Sequence, residues 1–265
     1  MSIQGSHNAR AGIELAWLSD GPQVKENAPT GLIWLGGFMS DMTGSKAQVL
    51  AELARETGRN CIRFDYSGHG ASGGAFRDGT ISTWLDEAVQ MFLTHAPGPR
   101  IVIGSSMGGW LALLLAKHLR AQGLPDASRI AGMVLIAPAA DMTRDLMWNS
   151  YGADIRQKIK LHGCYEAPSE YGPDPYIITR ELIEDGKQHL LLDGIMDAPF
   201  PVRILQGEQD PDVPWQHGMR VYDALTGPDV SFTLIKSGDH RLSTPRDLET
   251  LRQTCINLCH RADNL

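Results

Sequence analysis

Gly104-Ser105-Ser106-Met107-Gly108 has G-x-S-x-G spacing, a serine two residues from a glycine on either side. The apolar run Ile101-Val102-Ile103 precedes it and Trp110-Leu-Ala-Leu-Leu-Leu-Ala116 follows. The order reads strand, sharp turn, helix, the context in which a serine is held strained with its hydroxyl above the strand ends. Gly104 and Gly108 are needed because a Cβ at either position would collide with the neighbouring turn. The following helix points its N-terminus at the same place, which favours developing negative charge. Ser106, at the middle of the motif, is the candidate nucleophile. Ser105 competes only if the register slips.

A serine hydroxyl needs a base, and the base needs an orienting acid. On this kind of scaffold they follow the serine in the order acid, then histidine, each in a loop after a later strand. Val202-Arg-Ile-Leu-Gln-Gly207 is such a strand, followed by Glu208, Asp210 and Asp212. Ser231-Phe-Thr-Leu-Ile235 is the next, followed by Gly238-Asp239-His240. Of nine histidines, His118, His162, His189, His217 and His260 fall in helical patterns or the polar segment described below. His7 belongs to the N-terminal tail, His95 ends a helix, and His69 sits in an early loop where it can line the site. His240 is the expected base. Asp210 is the expected acid because it leaves the strand first, with Asp212 as its rival. Asp239 and Glu208 are read more simply as solvated loop charges.

The oxyanion needs two backbone donors. The residue after the nucleophile, Met107, is expected to supply one. Phe38, in the loop Gly36-Gly37-Phe38-Met39 after the Leu32–Leu35 strand, is expected to supply the other. Gly68-His-Gly-Ala-Ser-Gly73 matches G-x-G-x-x-G in letters. A dinucleotide site needs that motif to pass straight from strand to helix. Here Asp65-Tyr-Ser intervenes before it and Gly74 to Gly79 delays the helix. Gly37 to Lys46 fails the P-loop spacing because Ser45 separates Gly44 from Lys46. No cofactor is expected. No metal is expected either: the pair Cys255 and Cys259, beside His260, reads as the inner face of the last helix.

The elements that must position these residues alternate. Apolar runs at 13–18, 32–35, 61–64, 101–103, 133–136, 202–205 and 231–235 read as strands, the inner ones apolar enough to be covered on both faces. Helical patterns lie between them at 46–57, 81–95, 106–121, 216–225 and 245–261, with Thr80 or Ser82 and Thr244 as N-caps. Strand–helix alternation predicts βαβ units and a doubly wound, mostly parallel sheet with helices on both faces. The stretch from Asp141 to Pro199 shows no clear strand, only helical patterns at 153–162 and 177–185. It is too long for an ordinary connection. It reads as a small helical cap, residues 141–199, inserted in a single domain spanning 1–265.

The chain has 265 residues, 42% hydrophobic and 21% charged, a composition that excludes a disordered chain. A net charge of −7 and the lack of a basic cluster exclude nucleic acid as an expected partner. The longest apolar stretch, 110–116, is far short of the ~20 residues of a membrane span. Met1 to Arg10 is polar and has no signal-type apolar core, and the four cysteines have no framework spacing. A cytoplasmic protein is expected.

These residues resemble the α/β-hydrolase superfamily over nearly the whole chain. Asp65-Tyr-Ser-Gly-His-Gly-Ala-Ser72 is similar to the D-x-x-G-x-G-x-S loop of those enzymes. Cys61 to Gly68, Gly104 to Leu111, Asp212-Val-Pro-Trp215, Asp239-His-Arg241 and Pro168-Ser-Glu-Tyr171 resemble its mitochondrial palmitoyl-protein thioesterase and acyl-glucuronide esterase group. The resemblance implies an α/β-hydrolase fold and a Ser106, Asp210, His240 set acting on small-molecule or acyl-protein esters and thioesters. A departure from the group is the N-terminus, where no transit peptide is read, so a bacterial relative or a mature form is expected. The cap tyrosines Tyr151, Tyr165, Tyr171 and Tyr176, with the cap methionines, are expected to line an acyl pocket. A peptidase, a carbon–carbon bond hydrolase, and a non-catalytic receptor on the same fold are the competing readings.

Overall fold

The computed structural model describes residues 2–10, 12–24, 28–168 and 175–264. The side chains of its central strands alternate between two helical layers. In β3 (Gly31–Leu35), Leu32 and Trp34 face one layer while Ile33 and Leu35 face the other. β5 (Arg100–Ser105) divides Ile101 and Ile103 from Val102, and β6 (Ile130–Ile136) divides Val134 and Ile136 from Met133 and Leu135. Successive side chains in a strand point to opposite faces, so both faces must be apolar when both are covered. One layer is α1 (Ser45–Glu56) and α7 (Pro245–Asp263). The other is α2 (Ile81–His95), α3 (Met107–Ala121) and α6 (Trp215–Ala224).

The remaining strands of the main sheet are β1 (Ser2–Arg10), β2 (Ile13–Asp20), β4 (Cys61–Phe64), β9 (Val202–Gly207) and β10 (Val230–Ile235). The order is β1-β2-β4-β3-β5-β6-β9-β10. β1 and β2 are antiparallel to each other, β2 is antiparallel to β4, and every later pairing is parallel. This is the doubly wound, mostly parallel sheet expected. The N-terminal segment corrects the reading of a tail: it is an edge strand paired with β2 from Ser2↔Asp20 to Arg10↔Ile13. Its polar sequence hid it, because at an edge backbone hydrogen bonds, not burial, hold the strand.

Helix caps follow the sequence. Thr80 accepts from Thr83 N–H, and Thr244 forms a capping box with Asp247. Ser82, the alternative cap, is bonded elsewhere. The insertion between β6 and β9 holds a π-helical turn (Thr143–Trp148), α4 (Ala153–His162) and α5 (Arg180–Gly186). It also holds a two-stranded antiparallel sheet, β7 (Cys164–Ala167) with β8 (Tyr176–Thr179). The expectation of no strand there was wrong, and the helical pattern drawn from 177 is strand up to Thr179. Four-residue strands carry too few alternations to register as a pattern. Ile159, Ile178 and Ile183 pack there as a small apolar cluster of their own. Cys255 and Cys259 are buried against the sheet, and burial pushes the Cys259 thiol up to about 12. Among the described residues no helix is long and apolar enough to cross a membrane.

Candidate active site

Ser106 links β5 to α3 with φ 55° and ψ −119°, a conformation that non-glycine residues rarely adopt. Surrounding hydrogen bonds hold the strain. Ser106 N–H donates to Ile136 O at 2.8 Å, and Ser106 O accepts from Gly109 N at 2.9 Å and Ala139 N at 3.1 Å. The glycines are where space demands them. A Cβ on Gly104 would lie 2.2 Å from Gly108 O, and one on Gly108 would lie 2.1 Å from Leu35 O.

Asp210 follows β9 and His240 follows β10, brought together by the parallel pairing of those strands. His240 Nδ1 lies 2.9 Å from Asp210 Oδ2. A carboxylate only accepts, so Nδ1 carries the proton and the Nε2 lone pair is left over. The Asp210 carboxylate is fully buried and held by three further donors. Oδ1 accepts from Asp212 N at 3.0 Å and Val213 N at 2.8 Å, and Oδ2 from Gln206 Nε2 at 3.1 Å. Gln206 was missed from the sequence. Its signal was a polar residue directly after the apolar pair Ile204-Leu205, at the end of the strand that delivers the acid. The other acids fall where the simpler reading put them. Asp239 accepts from Leu242 N–H, while Glu208 accepts from Ser237 N–H and pairs with Lys236. Asp212 lines the cavity beside His240.

Ser106 and His240 open on one cavity of about 700 Å³. One arm lies under the insertion and is apolar: Phe38, Met142, Leu146, Met147, Tyr151 and Tyr176. The other is polar and includes Ser45, Lys46, Asp212, Arg241 and Ser243, a side of the site the sequence did not announce. Not every described residue expected in the apolar arm lines it. Tyr165 packs edge-on behind Tyr151 at 5.9 Å, and Tyr171 lies outside the described residues. Met196, also expected, bridges to Leu225 instead.

The loop after β3 reaches the serine: a Cβ on Gly37 would sit 3.3 Å from Ser106 Cβ. Among the described residues neither Phe38 N–H nor Met107 N–H donates within the protein. His69 does not line the cavity. It is buried beneath that loop, and burial lowers its pKa to about 4. Gly68 to Gly73 stays in loop conformation, with a short turn at Phe76–Asp78 before α2, so no helix follows it directly.

A parallel sheet bearing a strained serine at a strand-to-helix turn defines an α/β-hydrolase architecture. The alpha/beta hydrolase family model matches residues 30–251, and the chain belongs to that family. Within it, the chain is similar to curated proteins named palmitoyl-protein thioesterase ABHD10, mitochondrial. It is 31% identical to that of Homo sapiens over 92% of this chain and 77% of the relative. To that of Mus musculus it is 34% identical over 89% and 77%. Among solved structures, a protein from Agrobacterium vitis S4 superposes with a TM-score of 0.93 at 44% identity, covering 98% of this chain and 99% of its own. Mouse alpha/beta hydrolase domain-containing protein 10 gives 0.84 at 30% identity, covering 98% and 99%.

Proposed function

We propose that the chain is a serine hydrolase that cleaves carboxylic esters or thioesters through an acyl-enzyme on Ser106. One observation carries the reading: a backbone-strained serine shares a cavity with a histidine whose other ring nitrogen is locked onto a buried carboxylate. Ser106 Oγ attacks the acyl carbon while His240 Nε2 takes its proton. Asp210 holds the tautomer and stabilises the imidazolium. The N–H groups of Phe38 and Met107 receive the developing oxyanion. Collapse of the tetrahedral adduct expels the alcohol or thiol, protonated by His240. Water then attacks the acyl-enzyme by the same route, frees the acid and restores Ser106.

The insertion acts as a cap, and its apolar arm takes the acyl chain. Similarity to proteins named palmitoyl-protein thioesterase supports including thioesters and makes acyl-proteins, beside small esters, the substrates to try. The test is fluorophosphonate labelling with mass mapping of the adduct. Label is expected on Ser106 in the wild type and lost in Ser106→Ala and His240→Ala. Folded wild-type protein that takes no label, or takes it elsewhere, sinks the reading and favours a ligand-binding role.

A further inference from the structure

Gly37 to Ser40 form a tight turn in which Ser40 N donates to Gly37 O at 3.1 Å and Ser40 Oγ donates to the same oxygen at 2.8 Å. Phe38 and Met39 are its central residues. Met39 has φ 54°, so the turn is of the kind with a left-handed third residue, which ordinarily asks for glycine. A non-glycine residue there pays conformational energy that something nearby must offset. Turning the peptide between Phe38 and Met39 over would relieve it, reversing Phe38 C=O and Met39 N–H and loosening the turn that carries Phe38.

His69 is the group that meets that peptide. Its Nδ1 lies 3.1 Å from Ser67 O, a carbonyl that only accepts, so Nδ1 carries the proton. Nε2 is then a lone pair, and it accepts Met39 N–H at 3.2 Å. Tyr66, Phe76 and Trp84 wall the ring in edge-on contacts, with centroids 5.7, 5.1 and 5.2 Å away. The ring therefore has one orientation and one tautomer. Being buried, it stays neutral across the range in which ester hydrolysis would run. The Asp65 carboxylate, accepting from Met42 N–H at 2.6 Å and Ala71 N–H at 2.9 Å, ties the same two loops together further out.

We propose that His69 is a positioning residue for the oxyanion hole: by accepting Met39 N–H it anchors the turn that presents Phe38 N–H to the substrate oxygen. It touches no substrate. The inference rests on the acyl-enzyme reading above, since it assigns His69 a task only if Phe38 N–H is a donor to the oxyanion.

The test compares His69→Leu, which fills similar space without an acceptor, with His69→Gln. The glutamine amide can accept Met39 N–H and donate to Ser67 O. For a short-chain nitrophenyl ester, His69→Leu is expected to lower kcat by about 10–100-fold with little change in KM. Its rate of phosphonylation at Ser106 is expected to fall with kcat. His69→Gln should recover most of both rates. Adding Met39→Gly to His69→Leu should recover part of kcat, because glycine holds the left-handed turn unaided. Melting temperatures identify variants that simply unfold, and the Met39→Gly pair keeps the test open if His69→Leu is unstable. His69→Leu that phosphonylates as fast as wild type, or His69→Gln no better than His69→Leu, overturns the role. Wild-type protein that takes no label at all instead fails the acyl-enzyme reading, whatever His69 does.

Discussion

Two groupings of serine, histidine and aspartate among the described residues are wired in opposite senses. At the cavity, Asp210 holds His240 Nδ1 at 2.9 Å and the other imidazole nitrogen is left as an acceptor. Where the insertion meets α2, Ser82 Oγ donates to Asp185 Oδ1 at 2.6 Å, and Ser82 N–H donates to Oδ2 at 2.8 Å. The serine proton is thus spent on the acid, so the 2.7 Å contact between Ser82 Oγ and His189 Nε2 has the imidazole donating. A histidine that donates to a serine cannot be its base. Nor is Ser82 strained: it lies in the first turn of a helix, whereas Ser106 has φ 55°. His189 O also accepts from Trp110 Nε1 at 3.1 Å, so the second cluster ties the insertion to the core. Residue types within hydrogen-bond reach do not make a nucleophile. Which atom the acid holds, and whether the serine backbone is strained toward a cavity, separate the proposed reactive site from a tether.

Breaking the acid at each site should separate them most widely. Asp210→Asn is expected to lower kcat by about 10⁴, as loss of the orienting carboxylate does in serine hydrolases of this logic. Asp185→Asn should leave kcat intact and lower only the melting temperature. Comparable losses of kcat in the two variants would show that the two sites do not differ in role.

Acid stability gives a smaller effect and tests the histidines built into the scaffold. His69 is lowered to about 4 by burial, against an ordinary value near 6.5. Between those values the unfolded chain binds a proton the folded chain refuses, so stability rises with pH across that window. The contribution is fully present above about pH 6.5 and lost as pH falls through 4. For His69 alone it amounts to about 3 kcal/mol. His217 and His189 are lowered by burial too and act with the same sign. Urea midpoints from pH 7.5 to 4.5 should fall in the wild type and fall less in His69→Gln. Parallel curves would show that the His69 ring takes up its proton as easily folded as unfolded.

The smallest effect expected is on the tether itself. Ser82→Ala removes a half-buried hydroxyl bonded to both Asp185 and His189 and should cost about 1–2 kcal/mol. Hydrogen exchange should quicken in α5 and at the start of α2, with phosphonylation of Ser106 unchanged. A fall in labelling rate would mean that the tether shapes the cavity as well as the scaffold.

What local sterics dictate was legible in the amino-acid sequence. The tight turn at Ser106 admits only glycine at 104 and 108, so its spacing declares it wherever it occurs, and both clashes are met in the fold. Strands covered on both faces must be largely apolar, which set β3, β4 and β5 near their observed bounds, with Arg63 in β4 paired to Asp20, and left β6 three residues short at its start. Other features depend on contacts far apart in the chain, and these the tertiary structure decided. Asp210 rather than Asp212 meets His240 because the parallel register of β9 and β10 sets how far each loop projects. Tyr165 turns out of the cavity because a two-stranded sheet that left no pattern directs it behind Tyr151. His69 reads as a loop histidine near the site, yet its work depends on a peptide thirty residues earlier. β1 is invisible to hydrophobic periodicity because an edge strand is held by its neighbour's backbone, and which neighbour is available is known only once the sheet exists.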